Sequence, residues 1–125
     1  MPLSAATPVT FVMTRDRTVA EVFYGETLGL KRMPGNAFSA VYDLAGVPLH
    51  VTEASDHTPS PHPVLGWSVS DMEATVQALT AKGVTFNIYD GMGQDALGIW
   101  TSPDGASKIA FFNDPDGNAL SLTQG

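Results

Sequence analysis

The sequence contains no cysteine among its 125 residues. This excludes a disulfide framework, a thiol nucleophile and any metal site built from thiolates. The absence of cysteine is compatible with a reducing cytoplasm, which is the location that we predict. A chain of this length can bury roughly two thirds of its unfolded surface as a single domain, so covalent cross-links are not needed.

Basic residues are few, and long apolar runs are missing. Six lysines and arginines stand against 13 acidic residues, which gives a formal net charge of −7. Because nucleic-acid binding requires a basic surface, we expect no nucleic-acid partner. The first 14 residues are uncharged but are interrupted by proline, serine and threonine, so we predict neither a signal peptide nor a membrane span.

The chain divides into two halves around a proline-rich connector, predicted at about residues 55–62. Before it, the pattern predicts a strand, a helix and a hairpin, at residues 9–13, 16–29 and 38–53. After it, a strand and a helix are followed by further strands, at residues 64–69, 71–83, 84–89, 99–101, 108–112 and 120–122. We therefore predict one domain over residues 1–125 that consists of two modules, at about 7–54 and 63–124.

The two halves repeat each other. Residues 46–52 can be laid over residues 117–123 without a gap, which sets His50 against Ser121 and, at the same offset, Tyr42 against Asn113. The longer second half contains the loop 90–98, whose three glycines suggest a lid over a binding site. Two copies of this length indicate a pseudo-symmetric α+β protein.

Several short motifs follow one another in a distinctive order: Phe23-Tyr24, Leu28-Gly29-Leu30, Gly83-Val84 and the run Phe-Asn-Asp-Pro-Asp-Gly-Asn at 112–118. Together they resemble the vicinal oxygen chelate superfamily, which includes glyoxalases, extradiol dioxygenases, fosfomycin-resistance enzymes and bleomycin-binding proteins. The resemblance implies an α+β fold, with two pseudo-repeated βαβββ modules that form an open, curved, mixed sheet of eight strands around a cavity. It also implies a homodimer.

In the metalloenzymes of this superfamily, four side chains chelate a divalent ion. The resemblance places these positions at Val9, His50, Val64 and Ser121. A catalytic zinc site needs about three protein ligands, and only His50 is a good one here. We therefore predict that the protein uses no metal and no other cofactor.

His50 is the one titratable group at a position that the superfamily uses for chemistry. It faces opposite to Leu49 and Val51 on its strand, so it can hydrogen-bond a ligand or act as an acid or base. Trp100 follows the inserted loop, whereas alternation along the strand assigns Trp67 to the core. The predicted ligand-binding residues are His50, Tyr42, Trp100, Ser121, Phe11 and Met13.

These features favour a small-molecule-binding protein without metal, similar to the drug-sequestering members of the superfamily. Two alternatives remain open. The first is an enzyme of the lyase, isomerase or dioxygenase type, which is either metal-free with His50 as acid or base, or metal-dependent through other ligands. The second is a non-catalytic dimer or interaction module.

Overall fold

The computed structural model describes residues 2–125 and divides into two compact units. The N-terminal unit ends at Thr58 and the C-terminal unit is Pro59–Gly125, so the boundary falls inside the predicted linker. Each unit contains one four-stranded mixed sheet and one helical segment. Over residues 2–125, every helix is too short or too polar to cross a membrane.

The N-terminal unit has the element order of one βαβββ module. Its elements are β1 (Thr10–Thr14), α1 (Arg17–Val22), a π-helical turn (Phe23–Thr27), β2 (Lys31–Met33), β3 (Ser39–Leu44) and β4 (Val47–Glu53). The strand order in the sheet is β1-β4-β3-β2, and β1 runs parallel to β4 while the other pairs are antiparallel. The short strand β2 was not predicted from the sequence.

The helical segment of this unit begins and ends at residues that the sequence indicates. The carboxylate of Asp16 accepts hydrogen bonds from the backbone N–H groups of Thr18 and Val19, as an N-cap does. The segment then widens into the π-helical turn, where the N–H of Leu28 donates to the carbonyl of Phe23 at 2.9 Å. Gly29 follows with φ +71°, a conformation that favours glycine and ends the helix.

The C-terminal unit repeats this order. Its elements are β5 (Pro63–Ser68), α2 (Met72–Ala81), β6 (Trp100–Thr101), β7 (Lys108–Asn113) and β8 (Ala119–Gln124), with the strand order β5-β8-β7-β6. Asp71 caps α2 by accepting from the N–H of Ala74 at 3.1 Å. The strand predicted at 84–89 is wrong, because this segment makes only an isolated bridge between Phe86 and Phe112.

Each sheet packs one face against the helix of its own unit. Helix α1 contacts β3 and β4, and α2 contacts β7 and β8. The buried apolar side chains of these layers include Val12, Ala40, Tyr42, Leu49 and Val51 in the N-terminal unit, and Val76, Ala110, Phe112, Leu120 and Leu122 in the C-terminal unit. Side chains that alternate with these along the strands therefore form the opposite face of each sheet.

The two hairpins that close the modules have turns of different length. In the N-terminal unit, Leu44 pairs directly with Val47, so the loop consists of Ala45 and Gly46 alone. Both have positive φ, at 53° and 98°, as a type I′ turn requires. Positive φ is unfavourable for an alanine, so this turn contains backbone strain at Ala45.

The second hairpin turn is longer and is held by a buried carboxylate. Asp114 accepts hydrogen bonds from the N–H groups of Asp116 and Asn118 and from the side-chain amide of Asn118, all at 2.8–2.9 Å. Its flanking strand residues, Asn113 and Ala119, pair across five intervening residues instead of two. The register of β7 therefore shifts by one residue relative to β3.

This shift corrects one predicted equivalence. Leu49 pairs with Tyr42, and Leu120, which is 71 residues after Leu49, pairs with Phe112. The structural counterpart of Tyr42 is therefore Phe112 and not Asn113. Because side chains alternate between faces, a slip of one residue moves a side chain to the other face of the sheet.

Candidate functional site

The face of the N-terminal sheet that lies opposite to α1 carries a stacked pair of rings. Phe11 of β1 is the register partner of His50 of β4, and their ring centroids lie 5.4 Å apart at an interplanar angle of 29°. The side chain of Phe11 is 62% exposed, and Met13, on the same face by alternation, is 40% exposed. The sequence prediction that these three residues share one face is consistent with this geometry.

A buried serine orients the imidazole of His50. The hydroxyl of Ser39 lies 3.3 Å from Nδ1 of His50, and 3.5 Å from the amide oxygen of Asn36. That amide oxygen already accepts from the N–H groups of Phe38 and Ser39 at 2.8 and 2.9 Å, so we assign the serine hydroxyl as a donor to Nδ1. In neutral His50 the ring proton is then on Nε2, which has no hydrogen-bond partner within residues 2–125.

Tyr42 lies on the opposite face of this sheet from His50. Its side chain is buried, and its hydroxyl donates to the backbone carbonyl of Glu21 at 3.3 Å. The guanidinium of Arg32 lies 5.5 Å from the ring centroid and pairs with the carboxylate of Glu21. Burial raises the pKa of Tyr42 above its usual range. Tyr42 thus belongs to the α1 layer, and the structure does not bring it together with His50.

In the C-terminal unit, the counterparts of Phe11 and His50 are Gly66 and Ser121. They are register partners on β5 and β8, and Phe111 of β7 is the next partner in the same row. A Cβ atom built on Gly66 would lie only 2.5 Å from the hydroxyl oxygen of Ser121. The hydroxyl of Ser121 therefore occupies the space that a side chain at position 66 would fill.

Trp100 lies on the same face as Ser121, one row further along the strands. Trp100 pairs with Ile109, Ile109 with Thr123, and Thr123 with Ser68, so these four residues cross the whole sheet. They form the floor of a groove with a volume of about 330 Å³. Pockets that bind small molecules begin at about this volume.

Trp67, in contrast, lies on the helix face of the same sheet. Its ring stacks against that of Phe112, with centroids 6.4 Å apart and an interplanar angle of 23°. The structure thus separates the two tryptophans of the chain onto opposite faces, in agreement with the alternation that assigned Trp67 to the core.

The glycine-rich loop is cross-linked by one of its own side chains. The amide of Gln94 donates to the carbonyls of Asn87 and Gly98 at 2.9 and 2.8 Å, and its oxygen accepts from the N–H of Tyr89 at 2.7 Å. The glycines at 91 and 93 have positive φ, 79° and 77°, so they shape the loop. These hydrogen bonds cross-link the loop internally, and the lid role inferred from its glycine content stays a prediction.

Sequence reasoning missed three residues on these faces. Ser39 is one, and the hairpin register of β3 and β4 would have identified it, since it lies two residues before the partner of His50. The others are Tyr89, whose ring contacts Phe111 at 5.9 Å, and Asn87, whose amide donates to Asn113 at 2.6 Å. Both lie in a segment predicted as a strand, and no motif marks them.

The positions that the superfamily uses for a metal ion do not form a suitable donor set. Val9 and Val64 have no donor atoms, and Ser121 offers only a neutral hydroxyl, which is a weak ligand. Within residues 2–125, no three histidine, aspartate or glutamate side chains lie close enough together to hold an ion. The residues present therefore do not fit the ion that the superfamily implies.

Known structures share the fold of this chain. A glyoxalase/bleomycin resistance protein/dioxygenase from Alicyclobacillus acidocaldarius is 20% identical with a TM-score of 0.71, over 99% of this chain and 94% of that one. A glyoxalase family protein from Enterococcus faecalis is 18% identical with a TM-score of 0.72, over 98% and 99%. Lactoylglutathione lyase from Agrobacterium tumefaciens is 16% identical with a TM-score of 0.65, over 97% and 94%.

These similarities confirm the predicted α+β fold with two βαβββ modules. The chain shares the fold of glyoxalase and glyoxalase/bleomycin resistance protein/dioxygenase structures. No family model matches the sequence, and no curated protein is significantly similar to it. At these levels of identity the similarity defines the fold, and the function has to be argued from the two sheet faces.

Proposed function

We propose that this chain binds a small molecule on the sheet faces opposite to its helices, and that it does so without a metal ion. The observation that carries the proposal is the ring pair of Phe11 and His50. It combines an exposed aromatic surface with an imidazole nitrogen, Nε2, that has no partner within residues 2–125. Binding sites for small molecules typically consist of apolar and aromatic side chains with a few well-placed polar atoms.

The position of the ring proton defines what the ligand should offer. With the Ser39 hydroxyl donating to Nδ1, neutral His50 presents an N–H group at Nε2, and the protonated form does so as well. A ligand at this face would therefore place a hydrogen-bond acceptor at Nε2 and an apolar group over Phe11 and Met13. Following the resemblance, we also propose that the chain forms a homodimer and is located in the cytoplasm. Sedimentation of the purified protein would test the homodimer.

The metal-free part of the proposal is tested by elemental analysis of protein purified without an affinity tag, with thermal unfolding measured in parallel. We expect less than stoichiometric zinc, nickel, iron or manganese, and no change of the melting temperature with a chelator. Lactoylglutathione lyase activity, which is named for the Agrobacterium protein, should also be undetectable when zinc or nickel is added. One tightly bound ion per chain, or a melting temperature that falls on chelation, would contradict the proposal.

The binding part is tested by screening a fragment library by NMR against the wild type and the variants Phe11→Ala and His50→Ala. We expect fragments that shift the signals of this face to lose at least tenfold in affinity in either variant, the loss expected on removing a well-packed contact. Val22→Ala is the matched control, because Val22 is an exposed apolar residue of α1, away from this face. Equal binding by all variants would refute the assignment of the face.

A metal-free enzyme is the second candidate, and the contact of Ser39 with His50 favours it. When His50 is protonated, its oriented imidazolium can act as a general acid that transfers the Nε2 proton to a bound ligand and returns to neutral imidazole. The fragments that bind should then be followed over time by NMR for chemical conversion. Conversion by the wild type that is lost in His50→Gln, with fragment binding retained, would establish this function in place of simple binding.

A further inference from the structure

The groove of the C-terminal unit has a floor that is built by a single row of side chains. Trp100, Ile109, Thr123 and Ser68 are consecutive register partners on β6, β7, β8 and β5, so all four point to the same face. The row begins with an indole and an aliphatic side chain and ends with two hydroxyls. The groove is therefore apolar and aromatic at one side and hydrogen-bonding at the other.

The polar side chains that line this groove share one property, which is that each of them can donate a hydrogen bond. On the face of this row they are the hydroxyls of Ser68, Ser107 and Thr123 and the indole of Trp100, and none is a carboxylate. The side chain of Gln124 lies on the helix face, where its amide oxygen accepts from the backbone N–H of Met72. The set combines hydrogen-bond donors with an aromatic ring and contains no negatively charged side chain. It matches a ligand that presents hydrogen-bond acceptors.

The one charged residue of the lining is Lys108. It begins β7, and it has no ion-pair partner within residues 2–125, whereas Arg17 and Arg32 both pair with Glu21. Its Cα–Cβ bond points toward the helix face by alternation, so the hydroxyl row does not depend on it.

We propose that this groove binds a small aromatic carboxylate, with the ring on Trp100 and Ile109 and the carboxylate oxygens on the hydroxyls of Thr123 and Ser68. The volume of about 330 Å³ suits a ligand of one or two rings. The indole face provides a flat surface for an aromatic ring, and hydroxyl donors to a carboxylate form charge-assisted hydrogen bonds. This inference rests on the proposed small-molecule-binding function and names a ligand class for the C-terminal unit.

The two tryptophans make the test specific to one face. In a ¹H–¹⁵N spectrum the chain has two indole N–H signals, and the one that disappears in Trp100→Phe belongs to the groove. The other belongs to Trp67, on the opposite face of the same sheet. We expect benzoate to shift the Trp100 signal saturably, with a Kd in the millimolar range, and to leave the Trp67 signal unchanged.

Three matched probes separate the contributions of ring and charge. Benzamidinium keeps the ring and reverses the charge, benzyl alcohol keeps the ring without charge, and cyclohexanecarboxylate keeps the charge without the aromatic ring. We expect each to bind at least fivefold more weakly than benzoate. Benzamidinium binding as tightly as benzoate would overturn the proposed ligand class.

Variants then test the hydroxyl row. Thr123→Val is nearly isosteric and removes one donor, and combined with Ser68→Ala it should weaken benzoate binding at least tenfold. Thr101→Val is the control, because Thr101 is an exposed residue of β6 whose side chain alternates to the other face. Unchanged affinity in the double variant, or a benzoate response at Trp67 alone, would refute the groove.

The outcome also distinguishes this inference from the proposed function. If benzoate leaves Trp100 unaffected while fragments still bind beside His50, the groove assignment is wrong and the proposed function stands. If no fragment binds to either face, both are refuted.

Discussion

The two units contain the same pair of positions on the same face of their sheets and fill them with opposite chemistry. Phe11 and His50 occupy this pair in the N-terminal unit, and Gly66 and Ser121 occupy it in the C-terminal unit. The first pair presents two stacked rings, and the second presents a hydroxyl above a residue without a side chain. At this pair of positions, one unit thus has aromatic surface, whereas the other has a hydroxyl group and no ring.

The helix faces of the same two sheets differ much less. Leu49 and Leu120 are fully buried at equivalent positions beside His50 and Ser121, and each pairs with a buried aromatic residue, Tyr42 or Phe112. In this chain, packing against the helix thus restricts the residue types on one face of each sheet, whereas the residue types on the opposite face differ between the two units. The opposite faces are therefore the place to look for function.

The largest loss of stability is expected for substitutions on the helix faces, where the two units are most alike. Leu49→Ala and Leu120→Ala each remove a fully buried side chain, and each should lower the free energy of unfolding by about 2–5 kcal/mol. Urea titrations of the two variants measure this directly. If one of the two substitutions costs less than about 1 kcal/mol, the helix layers are not equivalent and the comparison fails.

Smaller losses of stability are expected at the equivalent positions Gly66 and Phe11, and the two losses should differ in size. Gly66→Ala places a Cβ against the hydroxyl of Ser121 and should cost about 1–3 kcal/mol, the usual range for overpacking. Phe11→Ala, at the equivalent and exposed position, should cost less than about 1 kcal/mol.

A second substitution, at Ser121, is the control for the steric clash that Gly66→Ala introduces. Ser121→Ala removes the hydroxyl oxygen that lies 2.5 Å from the added Cβ, so the double variant with Gly66→Ala should recover part of the lost stability. The backbone carbonyl oxygen of Ser121, at 3.2 Å from the added Cβ, remains in both variants. A double variant as unstable as Gly66→Ala alone would show that the hydroxyl of Ser121 is not what fills this space.

The smallest effect is expected for the two residues that differ in chemistry but not in packing role. His50→Ala and Ser121→Ala should each change the free energy of unfolding by less than about 1 kcal/mol, because both side chains are only partly buried. Thermal and urea unfolding measure this change. A loss of several kcal/mol at His50 would mean that its contact with Ser39 serves stability, which would weaken the case for a binding residue.

Much of the fold could be predicted from local signals. Asp16 and Asp71 mark both helix starts because an N-cap carboxylate satisfies backbone donors locally, and Gly29 marks an end because its φ is positive. The strand β2 was missed, because three residues with the pattern Lys-Arg-Met show no alternation. The strand predicted at 84–89 was wrong, since its apolar residues serve a bridge and an aromatic contact without a ladder.

The sheet face of a site residue could be predicted only from the alternation of side chains within one strand, which does not depend on how that strand pairs with its neighbours. Alternation within one strand grouped Phe11 with Met13 and separated Trp67 from Gly66. The assignment of Tyr42 depended on aligning two hairpins whose turns contain two and five residues. The resulting register shift of one residue matched Tyr42 with Asn113, which lies on the other face of its sheet. The groove could not be predicted, because its floor is made by four residues from four separate strands.

The turn at Ala45 has a consequence for engineering this protein. A non-glycine residue with φ +53° lies in a conformation that asparagine or glycine adopts more readily. The turn lies at the far end of the hairpin from Ser39 and Thr52, and it contributes no atom to the ring pair or to the groove. Replacement of Ala45 by asparagine or glycine should therefore stabilise the chain, so that destabilising substitutions on the sheet faces opposite to the helices can be introduced into a protein that still folds.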